Sequence, residues 1–111
     1  MKRIHVANEF YHRLANRDSS QCDGAHNAME FREKFLADLD NQSAWATSEP
    51  YITFNFKGVK KIGPSFANEA FAYFTQYAPP DKIFKRILFE DISTVQMEII
   101  ELEVNAGYHS V

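Results

Sequence analysis

Strict alternation marks the strongest strand of the chain. Between Pro50 and Lys57, Ile52, Phe54 and Phe56 share one side of an extended segment, and Tyr51, Thr53 and Asn55 share the other. Past a short glycine-bearing turn the period changes from two to about 3.6 residues. Phe66, Ala70, Phe74 and Tyr77 then fall on one stripe with Ala67 and Phe71 beside it, predicting a helix over 65–77 that opens at Gly63-Pro64-Ser65. A strand feeding such a helix start presents backbone N–H groups and a hydroxyl at the carboxyl end of a sheet. Open α/β folds place their chemistry or their contacts there.

Other elements are organised around this unit. Residues 2–6, with Ile4 between Arg3 and His5, read as a short strand. Residues 8–26 are polar, and Asn16-Arg17-Asp18-Ser19-Ser20 and Cys22-Asp23-Gly24 are loop chemistry, so a mobile loop is expected; Phe10, Tyr11 and Leu14 could add a second strand or a helical turn. Asn27 with Glu30 three residues on opens a helix whose stripe is Ala28, Phe31, Phe35 and Leu39, widened by Leu36. Trp45 falls in the connector to Pro50, as a lid over a core edge. Ala78-Pro79-Pro80-Asp81 is a stop and a turn, and 84–90 then read as a strand with a continuous Ile87-Leu88-Phe89 run. The last helix carries Ser93 as cap, Gln96 at the third helical position and Ile92 with Met97 as staple, and Asn105-Ala106-Gly107 supplies its end. Val95 to Ile99 also alternates like a strand, but the cap decides for helix. The expectation is one α/β domain over 1–111, a mixed sheet of four to five strands with about three helices packed on it. Strands 51–57 and 84–90 should be parallel and joined right-handedly through the helix between them.

Composition narrows the function classes. With 111 residues, an apolar share of 45%, ten Phe and five Tyr, the chain can bury a single core. Net charge is −3 and the largest basic group is Lys57, Lys60 and Lys61, too small a footprint for nucleic-acid binding. The single cysteine, Cys22, allows no internal disulfide and fits a reducing compartment. The first ten residues are too polar for a signal peptide, and no window approaches the about 20 apolar residues of a membrane helix. A soluble, cytoplasmic protein without membrane contact is expected.

The run Gly58-Val59, Ile62, Pro64-Ser65-Phe66-Ala67, Glu69-Ala70-Phe71, following a strand, resembles the STAS-like domains of unknown function, relatives of the STAS domains of anti-sigma-factor antagonists. Upstream, Asp23-Gly24 with Phe31-Arg32-Glu33 and Leu36 is similar to another segment of that family, with Asn27-Ala28 where the family has Ser-Gly. The resemblance implies a STAS-like fold and a non-enzymatic regulatory role with no cofactor. It also implies a protein partner, a histidine-kinase-like ATPase acting as switch kinase or anti-sigma factor. It aligns Ser65 with the serine that the partner kinase phosphorylates in those antagonists, although Gly63-Pro64 replaces their Asp-Ser. The docking surface would comprise Lys60, Lys61, Gly63, Ser65, Phe66 and Asn68.

Residue chemistry keeps other readings open. Ser65 can simply cap the helix, or lie in its first turn if Gly63 caps and Pro64 takes the first helical position. Glu69, four residues on, shares its face and keeps that surface polar. A small-molecule site or weak enzyme would use a pocket between the 8–26 loop and Ser65, with His26, Asp23 and Arg17 as polar groups. His5, His12, His26 and His109 are scattered, and Cys22 with His26 alone makes no zinc site. No nucleophile elbow, P-loop or dinucleotide fingerprint occurs. The high aromatic count also suits a self-associating structural protein, in its simplest form a homodimer.

Overall fold

The computed structural model of the chain describes residues 1–18 and 26–109. Its elements in order are β1 (Lys2–His5), α1 (Val6–Glu9), β2 (Arg13–Leu14), α2 (Ala28–Phe35), β3 (Ile52–Asn55), β4 (Lys61–Ile62), α3 (Pro64–Ala70), α4 (Pro80–Arg86), β5 (Ile87–Glu90) and α5 (Thr94–His109). Three 3-10 turns, Ala37–Leu39, Gln42–Trp45 and Ala72–Gln76, fill the connections.

The predicted parallel pair exists, as Ile52 to Asn55 match Ile87 to Glu90 in register. β1 lies on the other side of β3, also parallel, giving the order β1-β3-β5. The single mixed sheet of four to five strands is not what forms. Five strands divide into this three-stranded sheet and a separate pair, β2 with β4, parallel as well. The physical reason is length: Arg13-Leu14 and Lys61-Ile62 offer only two residues each, enough for a local ladder but not for the main sheet.

Three expected boundaries move. Residues 80–86 are helical, so the strand begins at Ile87 rather than at 84, and helices outnumber the three expected. Pro80 stops the preceding segment but also takes the first position of α4, where its missing N–H costs nothing. Asp81 in the first turn and Lys85 with Arg86 in the last complement the helix dipole. Arg86, 8% exposed, is held by the carbonyls of Glu49, at 2.8 Å, and Ala44. The helix over 65–77 is α-helical only to Ala70 and continues as a 3-10 turn over Ala72–Gln76. α5 does not end at Gly107, because that glycine lies inside the helix: a Cβ there would come 3.0 Å from the Cβ of Ala72. It is a close-packing glycine rather than a cap.

The described part of the 8–26 segment expected as a mobile loop carries the end of α1 and all of β2, and its Asn16 forms a parallel bridge with Asn27. Buried Leu14 anchors it, with Val6 buried just before it, which the surrounding polar residues concealed. The core is aromatic. Phe31 of α2 meets Phe54 at 4.9 Å and Phe66 at 5.4 Å between centroids, and Phe71 meets Phe54 at 6.0 Å. Such tilted and edge-on contacts suit the ring quadrupoles. Trp45 is no rim lid: it is 2% exposed and donates from Nε1 to the Leu39 carbonyl at 2.8 Å.

Candidate functional site

The turn from β3 to α3 is held from outside itself. Gly58 turns the chain at φ +87°, a conformation that disfavours any side chain. Lys60 N–H then donates to the His12 carbonyl at 2.8 Å and Gly63 N–H to the Leu14 carbonyl at 2.8 Å, locking the turn to β2. From α5, Gln96 Nε2 donates to the Val59 carbonyl at 3.0 Å. Buried Val59 and Ile62 fasten the inner side, and Lys57, Lys60 and Lys61 stand exposed on the outer.

At the helix start, Gly63 is the cap in extended conformation, Pro64 takes the first helical position, and no side chain caps. Ser65 is exposed, and its hydroxyl makes no hydrogen bond to a described residue. Of the two readings of Ser65, the first-turn one holds and the capping one does not. Its neighbour Phe66 is 0% exposed, packed among Phe31 and Phe10, so it leaves the expected docking surface: one residue along a helix turns by about 100°, from solvent into the core. Gly63 and Asn68 are half-buried, and Asn68 Oδ1 accepts from Arg17 at 3.1 Å.

Glu69 does more than keep the surface polar. Its carboxylate takes Arg32 at 2.8 Å and lies 3.6 Å from Arg17, so α2, α3 and the segment after β2 meet on one acid. The Arg32 guanidinium also lies 3.8 Å from the Tyr73 ring centroid. Tyr73 and Tyr77 both donate to Asp40 Oδ1, at 2.9 and 2.7 Å. Those hydrogen bonds to a carboxylate hold both phenols protonated, raising Tyr73 above its ordinary value and Tyr77 to about 12. No local spacing signals these contacts, since the bonded partners lie 33 to 51 residues apart in the chain.

The pocket expected beside Ser65 is not assembled by the described residues. His26 stacks on Tyr11 at 4.1 Å and lines a recess of about 330 Å³ with Glu9, Phe10, Glu30 and Lys34, and neither Ser65 nor Arg17 lines it. Asp23 and Cys22 lie outside the described residues. Among the described residues no group of three or more His, Cys, Asp or Glu side chains could hold a metal ion. At the carboxyl edge of the sheet, buried Asn55 donates to Glu90 at 3.0 Å and Asp91 at 2.8 Å and accepts from Lys57 N–H at 2.9 Å. This amide fixes the start of the lysine turn to β5. No described helix is long and apolar enough to cross a membrane.

Parallel strands and helices packed on an aromatic core, with an exposed serine in the first turn of a glycine-capped helix, define a small α/β domain. The chain belongs to the family described as STAS-like domain of unknown function (DUF4325), whose model matches residues 27–97, from the cap of α2 into the second turn of α5. No curated protein and no solved structure matches the chain.

Proposed function

We propose that the chain is a non-enzymatic regulatory module that binds a protein partner through the turn before α3 and is switched by phosphorylation of Ser65. The partner is a histidine-kinase-like ATPase acting as switch kinase or anti-sigma factor. One observation carries the reading: Ser65 is exposed with an unengaged hydroxyl, while Gly63 does the capping. A modification there disturbs no fold contact. The contact face is Lys60, Lys61, Gly63, Ser65 and the exposed part of Asn68, joined by Lys57 and without Phe66.

Charge gives the switch its direction. Three exposed lysines favour an acidic patch on the partner, and a phosphate adds roughly −1.5 to −2 charges beside them. Complementary charge then turns into near-neutrality, and association weakens. The test incubates the purified protein with an ATPase of this class and ATP, maps phosphate by mass spectrometry and measures affinity calorimetrically. Expected are modification at Ser65, none in Ser65→Ala, and at least about tenfold weaker binding for Ser65→Asp with an unchanged melting temperature. Absence of phosphate on Ser65, together with equal affinities for the two variants, would end this reading.

A further inference from the structure

We infer that the outward face of α5 docks a basic amphipathic helix of a partner protein, at a surface separate from the lysine turn. α5 is the longest described helix, 16 residues, and it carries large apolar residues outside its buried face as well as on it. Ile100 and Val104 are fully buried against the domain, yet Val95 and Leu102, seven residues apart, are 66% and 68% exposed. Two turns of spacing places those two on one outer stripe. Two large exposed side chains aligned on one stripe, rather than scattered singly, offer a partner helix an apolar seam.

The shape of that stripe says what covers it. Around Leu102 lies a recess of about 310 Å³ lined by Glu98, Glu101, Leu102 and Asn105. These are positions i, i+3, i+4 and i+7, the diamond of four residues that receives one knob from a facing helix. Its chemistry is that of an acidic hole with an apolar floor. Neither Glu98 nor Glu101 has an ion-pair partner among the described residues, and α5 contains no Lys or Arg. Asn105 spends an amide hydrogen on the Glu101 carbonyl at 2.8 Å, which keeps its own oxygen as a further acceptor. Every polar group in the hole can therefore accept. An Arg or Lys knob fits: its aliphatic stem lies along Leu102 while its cationic head reaches the two carboxylates. A Leu or Ile one heptad away would cover Val95.

A second copy of this chain is the wrong occupant for the same reason. α5 against α5 sets Glu98 and Glu101 against their own duplicates, with no cation on either helix to offset them. The inference stands apart from the Ser65 reading, and Ser65 variants leave it unchanged.

The experiment is a two-dimensional NMR titration of the protein with a synthetic 18-residue helical peptide carrying Leu along one stripe and a single central Arg knob on it, with a Leu one heptad away on either side. A second peptide with Glu in place of Arg serves as control. Saturable shifts confined to residues 95–106 are expected with the Arg peptide and none with the Glu peptide. Glu98→Arg combined with Glu101→Arg should exchange that preference, and Leu102→Ser should weaken binding at least about tenfold. All three positions are exposed, and circular dichroism melting checks that the variants stay folded. No saturable shifts, shifts away from α5, or a preference that does not exchange overturns the inference. So do concentration-dependent α5 shifts with a dimer mass in sedimentation, because a second copy would then be the occupant.

Discussion

Two serines start helices in this domain, and they are used in opposite ways. Ser93, at the junction of β5 and α5, exchanges hydrogen bonds with Gln96: its hydroxyl accepts from the Gln96 N–H at 3.1 Å, and its own N–H donates to Gln96 Oε1 at 3.2 Å. Ser65, at the junction of β4 and α3, exchanges none with a described residue. A residue in the left-handed region precedes each serine, Asp91 at φ +49° inside the β5–α5 junction and Gly58 at φ +87° one turn earlier, between β3 and β4. The first junction is secured by its own side chains. The second is secured by distant backbone, the carbonyls of His12 and Leu14, and by Phe66 inside the core. Where tertiary contacts hold a turn, the side chain at the helix start is released from folding, and the Ser65 hydroxyl stays unengaged by the described residues.

That contrast can be broken by mutation. The largest effect belongs to Phe66→Ala, one residue from the free serine: emptying a fully buried aromatic site should cost about 3–5 kcal/mol in denaturant unfolding. A loss under about 1 kcal/mol would mean α3 is not anchored there. Gly58→Ala forces a side chain into left-handed backbone and sets its Cβ 3.2 Å from that of Ala7, so about 1–2 kcal/mol should be lost in thermal melting. Ser93→Ala removes a working cap and should cost about 1 kcal/mol, with faster hydrogen exchange at the Gln96 amide and recovery in Ser93→Asp. Ser65→Ala comes last: it should change stability by no more than about 0.5 kcal/mol, as for other exposed positions. A cost matching that of Ser93→Ala would show that Ser65 caps in solution, and the contrast between the two junctions would collapse.

Much of the frame is legible without coordinates. The alternation of 51–56 and the Ile87-Leu88-Phe89 run predict β3 and β5 and their parallel pairing. Asn27 as cap, accepting from the Glu30 N–H at 2.9 Å, and the Ser93–Gln96 box appear as the sequence implies. The missed elements share one property, which is that their signal is not local. β2 and β4 are two residues each, stabilised by one another and by the buried Leu14 and Ile62. α4 is hidden in a stretch whose apolar run suits a strand equally well, and its Arg86 is buried only because the carbonyls of Glu49 and Ala44 receive it.

By itself, then, the sequence determined the period of each long element, two of the caps, the aromatic core and the family resemblance, because these rest on neighbours within about four residues. Only the tertiary structure decided that the sheet splits in two, that Gly63 rather than a side chain caps α3, that Phe66 turns inward while Ser65 stays outside, and that Glu69 gathers Arg17 and Arg32. Each of those outcomes depends on groups far apart in the chain that meet only after the core has closed, and no short-range pattern records which of them will meet.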